Sequence, residues 1–282
     1  MRLLVTGAAG MLGTEVLAAG RRRDHDVIAL TRAELNVCDA AAVSGSFERL
    51  APDAVVNCAA WTDVDGAESD EAAALEINGV APGLLARAAG EAGARLIHVS
   101  TDYVFSGRSE LPYVESDQTG PRSAYGRTKL AGEKAIVAEG IPHAIVRTSW
   151  LFGPAGRNFV TTMLGLAEDR DEVAVVSDQV GAPTYAGHLA DALVEVAERQ
   201  LGGLMHIAGS GHCSWADFAA EIFRQSGAPC KVRRVSTADF PRPAQRPERS
   251  ILESERDDTP RLPEWQDGLA AYLAQIAQEV AR

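Results

Sequence analysis

Tyr125 and Lys129 stand four residues apart in the segment AYGRTKLAGEKA, residues 124–135. On a helix that spacing puts both on one face. A free phenol has a pKa of about 10 and is a poor acid–base catalyst at neutral pH. An ammonium held beside it stabilises the phenolate and draws that value down. The pair therefore reads as a proton donor and its electrostatic modulator. With five tyrosines and three lysines in 282 residues, chance supplies the spacing roughly 0.05 times, so it is read as chemistry. Residue type adds to this. Lysine and arginine together number 27, and only three are lysine. Lysine is a compact charge on a flexible stem that can serve two hydroxyls, whereas arginine is a planar fork. Lys134, with Glu133 beside it, has no such reason and reads as solvated helix surface.

Three other segments supply partners. HVSTDYVF ends an apolar run with Ser100, Thr101 and Asp102. Ligands of doubly wound sheets bind beyond the carboxyl ends of the strands. A hydroxyl there can hold a carbonyl oxygen and complete a Thr101–Tyr125–Lys129 set suited to ketone reduction. VTGAAGMLG places Gly7, Gly10 and Gly13 between the first apolar run and a helix. Glycines at that turn let the backbone approach a pyrophosphate, whose charge meets the helix N-terminus. ALTRAEL ends the second run with Thr31 and Arg32. An acid at this corner suits a ribose 2′-hydroxyl, and an arginine suits a 2′-phosphate. The expected cofactor is therefore NADPH. Glu34, two residues later, leaves NADH use open.

These residues need elements to carry them. Apolar runs at 2–6, 26–30, 53–59, 94–100 and 143–149 alternate with helical patterns near 11–20, 70–92 and 124–139. Continuous apolar runs indicate strands covered on both faces, and the alternation indicates a doubly wound parallel sheet of Rossmann type. Residues 1–150 are the expected NADP(H)-binding domain, with a strand and helix from 172–200 returning to it. Residues 151–171 and 201–282 are the expected smaller, mixed α/β substrate-binding domain. It opens with the strand LMHIAG and ends in a helix at 264–281. FPRPAQRPERS, residues 240–250, reads as a structured loop.

The formal net charge of −12 argues against broad nucleic-acid binding. The four cysteines, Cys38, Cys58, Cys213 and Cys230, have neither C-x-x-C nor zinc spacing and read as reduced thiols, with Cys58 in the core. No apolar stretch approaches a membrane span, and the N-terminus lacks the pattern of a signal peptide. A cytoplasmic enzyme is expected, with no membrane partner.

TGAAGMLG, NCAAWT, STDYVF, YGRTK, RTSWLF, SDQVGAPT and RPERSIL occur in an order that resembles the extended short-chain dehydrogenase/reductases, and among them the dTDP-4-dehydrorhamnose reductases. The resemblance spans nearly the whole chain. It implies reduction of the C4 keto group of a dTDP-sugar, with Tyr125 as proton donor, Lys129 as its modulator and Thr101 polarising the keto oxygen. It implies Gly10, Met11 and Leu12 at the cofactor pyrophosphate, Asn36 and Val37 by the adenine, and Ala60, Trp61 and Thr62 along the ribose–nicotinamide side. Asp102 and Trp150 would meet the sugar, and Asn78 would organise the site. Arg246, in the pattern completed by Pro247, Ser250 and Leu252, would face the diphosphate. A homodimer is a family expectation. Some members use magnesium held by glutamates. Glu15 could match one, but Gly187 and His188 stand where an acid would be needed, so no metal site is expected. A 4,6-dehydratase would carry an acid after Asp102, where this chain has Tyr103. Another NDP-4-ketosugar reductase, or a non-catalytic NADP-binding regulatory subunit resembling that of methionine adenosyltransferase, stays open.

Overall fold

The computed structural model describes residues 1–280, so residue 281 of the expected last helix lies outside the described residues. Five strands, β1 (Arg2–Thr6), β2 (Asp26–Leu30), β3 (Ala54–Asn57), β4 (Arg95–Thr101) and β5 (His143–Thr148), join a sixth, Gly203–His206. The sheet is wholly parallel, in the order Gly203–His206, β5, β4, β3, β1, β2. Alternate side chains of one strand face opposite sides. Leu3 and Val5 thus join one apolar core with Val16, Leu189 and Leu193. Leu4 joins the other with Phe47, Leu85 and Ile136. Both faces are covered, which is why the strands read as unbroken apolar runs. The chain leaves β1 for β2 on one side and returns to β3 on the other. Their carboxyl ends open the crevice where such sheets take ligands.

A third core gathers Phe152, Val160, Phe218, Trp265 and Tyr272. Two strands differ from expectation. Glu172–Val176 pairs with Lys231–Val235 instead of extending the large sheet, and Val173 and Val175 bury into this third core. Gly203–His206 does the opposite and forms the outer edge of the large sheet against β5. Short apolar runs specify burial without naming a partner. The helix Ala186–Glu198 supplies buried residues to the first core. The 240–250 segment is tied down: Val180 donates to the Glu248 carbonyl, Ser250 to that of Val180 and Arg249 to that of Gly107.

The helical pattern near 70–92 is not one helix. It runs as Glu71–Leu75, a π-helical turn Glu76–Val80, and Ala81–Glu91. Pro82 explains the break. It has no N–H for the carbonyl of Asn78 four residues back, and its ring crowds that carbonyl. The widened turn lets the Ala81 amide reach the Glu76 carbonyl instead. The next helix, Ala124–Ala138, fits against this turn closely: a Cβ on Gly132 would collide with the Asn78 carbonyl.

That helix is also held from below by an ion pair. Glu133 receives two hydrogen bonds from Arg147 of β5, at 2.9 and 2.7 Å, and one from Ser100 of β4 at 2.5 Å. The two ionic side chains are only 4% and 6% exposed. Lys134 does point to solvent, but its neighbour Glu133 does not. Glu133→Ala would leave a buried guanidinium without its carboxylate. The expected loss is ~3–5 kcal/mol in denaturant unfolding, with Glu133→Leu/Arg147→Met regaining most of it. Equal loss in both variants would contradict an electrostatic cause.

Candidate active site

The glycine turn joins β1 to the first helix, Met11–Arg22. Gly7 has φ +66°, and a Cβ there would lie 2.6 Å from the Ala59 amide nitrogen. Gly13 has no room for a Cβ against the Gly7 carbonyl. The helix is capped by Gly10, which offers no side-chain cap, and its first turn has no acid. Its amide-rich, electropositive end is thus available to an anion. These features fit a dinucleotide pyrophosphate. Met11 and Leu12 stand in that first turn, although the Leu12 side chain belongs to the core. The Leu30 carbonyl accepts from Ala8 at 3.3 Å, tying the end of β2 to this turn. Arg32, just beyond, is exposed. Glu34 accepts from the Thr31 amide at 2.8 Å, a local bond that lowers its pKa and turns it toward its own backbone. Asn36 also closes a local turn, accepting from Cys38, and Val37 packs on the second core.

Across the crevice, Ala60, Trp61 and Thr62 follow β3. Asn78, 1% exposed, holds this segment by both backbone groups of one residue: its Oδ1 accepts from Trp61 N at 2.9 Å and its Nδ2 donates to Trp61 O at 3.0 Å. The same nitrogen reaches Thr128 on the Tyr125 helix at 3.3 Å. The π-helical turn therefore aims a side chain that links the 60–62 segment to that helix.

Thr101 and Asp102 end β4, and both are buried. Thr101 donates to Asp102 Oδ1 at 2.9 Å. Burial pushes Asp102 up to about 6, against opposing hydrogen bonds from Ser250, Thr101 and backbone amides. Desolvation pushes the Tyr125 phenol up to about 12; a hydrogen bond with Thr101 opposes this and the Asp102 charge adds to it. The Tyr103 ring meets Tyr125 edge to face, centroids 5.5 Å apart. Lys129 is 2% exposed. Its Nζ donates to the Val99 carbonyl at 2.7 Å and lies 3.3 Å from His98 Nε2. Burial draws Lys129 down to about 8, while Glu133 and Cys58 favour its charge.

The structure thus brings Thr101, Tyr125 and Lys129 to one strand end. It corrects one expectation about them. The Tyr125 pKa moves up, because desolvation of the phenol dominates and the lysine is directed at a backbone carbonyl. The phenol is therefore fully protonated at neutral pH.

Trp150 has φ +45°, a strained conformation for a large residue. Its indole stacks on Trp215, with centroids 3.6 Å apart and planes 6° from parallel, and crowds Gly181. Arg246 pairs with Asp65 at 2.9 Å, and Asp65 also accepts from Ala244. Buried polar atoms normally find partners. Among the described residues, Asp102 Oδ2, Thr148 Oγ1, Arg246 Nη1 and Arg249 Nε have none, and Asp102 and Arg246 suit a region built for a polar ligand. Sequence reasoning missed Asn57, His98, Asp65 and Trp215. Only His98 carried a signal, as a polar residue two positions before Ser100 in an apolar strand.

The family described as RmlD substrate binding domain matches residues 1–278. A dTDP-4-dehydrorhamnose reductase of Mycobacterium tuberculosis is 44% identical over 99% of this chain and 95% of its own length. The chain belongs to the dTDP-4-dehydrorhamnose reductase family. Solved members share its architecture. One from Clostridium acetobutylicum is 41% identical with a TM-score of 0.95, covering 98% of this chain and 100% of its own. One from Bacillus anthracis, solved in complex with NADP, is 34% identical with a TM-score of 0.95, covering 97% and 99%. Within this family fold, Asn78 has a role that can be separated from chemistry. Asn78→Ala would leave the Trp61 amide and carbonyl unpaired. The expected result is a loss of ~1–3 kcal/mol in stability together with a raised Kd for NADPH, read by melting and by fluorescence titration. Unchanged NADPH affinity would show that the 60–62 segment needs no such support.

Proposed function

We propose that this chain reduces the C4 keto group of dTDP-4-dehydro-L-rhamnose with NADPH, giving dTDP-L-rhamnose. The observation that carries the reading is the Thr101–Tyr125–Lys129 set at the end of β4, facing a glycine turn built for a dinucleotide, in a chain of the reductase family. Gly7, Gly10, Met11, Leu12 and Gly13 hold the pyrophosphate, Arg32 meets the 2′-phosphate, and Asn36, Val37, Ala60, Trp61 and Thr62 line the rest. NADPH supplies the hydride for the sugar carbon when bound. The protein's own part is to hold the ketone and protonate it. Thr101 turns its hydroxyl proton from Asp102 Oδ1 to the keto oxygen and keeps that oxygen beside Tyr125. Tyr125, protonated because its site raises its pKa, gives its phenolic proton to the developing alkoxide: one O–H bond breaks at the phenol and one forms at the sugar. Lys129 compensates the phenolate that results. Asp102, Trp150 and Arg246 take the sugar and its diphosphate, and the third apolar core, with Phe152 and Phe218, backs that side. The same reading takes the enzyme to be a cytoplasmic homodimer.

Tyr125→Phe should lower turnover of dTDP-4-dehydro-L-rhamnose by at least about a hundredfold, the usual weight of one acid–base group, with NADPH affinity retained. Lys129→Arg should also lose most of the rate despite its unchanged charge, because a planar fork cannot take the place of a point donor. Near-normal rates, followed as NADPH oxidation, would remove these roles.

A further inference from the structure

The short helix Val64–Ser69 touches three parts of the crevice. Asp63 caps it by accepting from the Gly66 amide at 2.9 Å, and the Asp63 carbonyl accepts from the Trp61 indole at 2.9 Å. The helix is thereby tied to the 60–62 segment. Glu68 accepts from the Ala124 amide at 2.7 Å, at the start of the Tyr125 helix. Asp65 faces the 240–250 loop and uses both oxygens on it. Its Oδ1 accepts from the Ala244 amide at 3.1 Å and its Oδ2 from Arg246 Nη2 at 2.9 Å. The Asp65 and Arg246 side chains are 26% and 20% exposed, so water screens the pair only in part. Arg246 Nη1, on the same planar fork, is buried and has no partner. The charges of Arg246 and Asp65 both reach the Tyr103 phenol, which also feels Asp102 and Tyr125. The Tyr103 ring in turn meets Tyr125 edge to face. Arg246 therefore lies beside the reacting groups.

We propose that Asp65 is a positioning residue that holds Arg246 by one nitrogen and presents the other to the diphosphate of the dTDP-sugar; for its ligand this rests on the function proposed above. A guanidinium is planar, and its N–H groups keep fixed directions. One bond at Nη2 therefore sets the plane in which Nη1 must point. A free arginine would surrender rotamer freedom on binding, and a held one has surrendered it already. The Ala244 bond fixes the loop two residues before Arg246, so one carboxylate holds both the side chain and the backbone that carries it. An anionic oxygen at Nη1 would supply the missing partner and a charge-assisted bond. A latch competing with the ligand would take the nitrogen that the ligand needs. Asp65 takes Nη2 and leaves Nη1. Through Asp63 and Glu68 the same helix sets Arg246 against the 60–62 segment and against the Tyr125 helix.

A double-mutant cycle tests this on the full-length chain saturated with NADPH, with dTDP as the ligand and calorimetry as the measurement. Asp65→Asn should weaken dTDP binding about tenfold, the lower end of what a hydrogen bond to a charged group is worth. Arg246→Ala should weaken it at least as much. The double variant should bind no more weakly than Arg246→Ala, because Asp65 acts through Arg246. Turnover should divide in the same way: Asp65→Asn raises KM for the keto sugar and changes kcat less than about twofold. A merely structural aspartate would lower the melting temperature and weaken dTDP binding equally with or without Arg246. Unchanged or tighter dTDP binding in Asp65→Asn, additive losses in the double variant, or a wild-type chain that does not bind dTDP overturns the proposal. If Asp65→Asn does not fold, Arg246→Lys decides. A single ammonium cannot serve Asp65 and a diphosphate in fixed directions, so it should lose about tenfold in dTDP affinity, and retained affinity overturns the proposal. Binding needs no turnover. A wild-type chain that binds dTDP in this pattern and leaves the keto sugar unreduced removes the reductase reading and leaves the positioning role of Asp65 standing.

Discussion

A lysine side chain only 2% exposed must find its hydrogen bonds inside the protein. Here they come from β4, through the Val99 carbonyl and the His98 ring. One turn further along the same helix, Glu133 finds Ser100 on the same strand and Arg147 on the next. His98 and Ser100 are two apart on a strand, and Lys129 and Glu133 are four apart on a helix. The strand's repeat of two and the helix's turn of 3.6 come into step at these two rungs. The helix bearing Tyr125 is thereby held to the strand that ends in Thr101. Apolar packing alone would permit small slides. Buried charged and polar pairs tolerate them poorly, because each displaced group is left unsatisfied.

The other side of the crevice depends on steric room. Gly7 and Gly13 admit no side chain where β1 turns into the first helix, and this brings the open helix end against the start of the 58–62 segment. Asn78 spans from that segment to Thr128, and it can do so because Pro82 forces a π-helical turn. Two local irregularities, a positive-φ glycine and a proline inside a helix, thus set the width of the crevice. The sheet carries both.

Much of this was legible in the sequence wherever a local pattern carried the chemistry. The glycine turn, the Tyr125–Lys129 spacing and the Thr101–Asp102 strand end are short-range signals, and each lies where expected. What the chain hides depends on partners distant in sequence. Whether Glu172–Val176 or Gly203–His206 joins the large sheet depends on edges that neither run names. Asp65 finds Arg246, and Asn57 finds His98, only once the sheet has formed. The Tyr125 pKa was misjudged for a related reason: spacing shows that a lysine is near, but burial and the direction of its hydrogen bonds decide what it does to the phenol. Proline after LEINGVA was the one visible sign of the broken helix.

Isotope transfer tests the central claim most directly. The chain is supplied with dTDP-4-dehydro-L-rhamnose and NADPH carrying deuterium on the transferable face of nicotinamide C4, and the product is examined by NMR. The account predicts stoichiometric cofactor oxidation and dTDP-L-rhamnose deuterated at the sugar C4. Bound but unconsumed NADPH, with the keto sugar recovered intact, would contradict it.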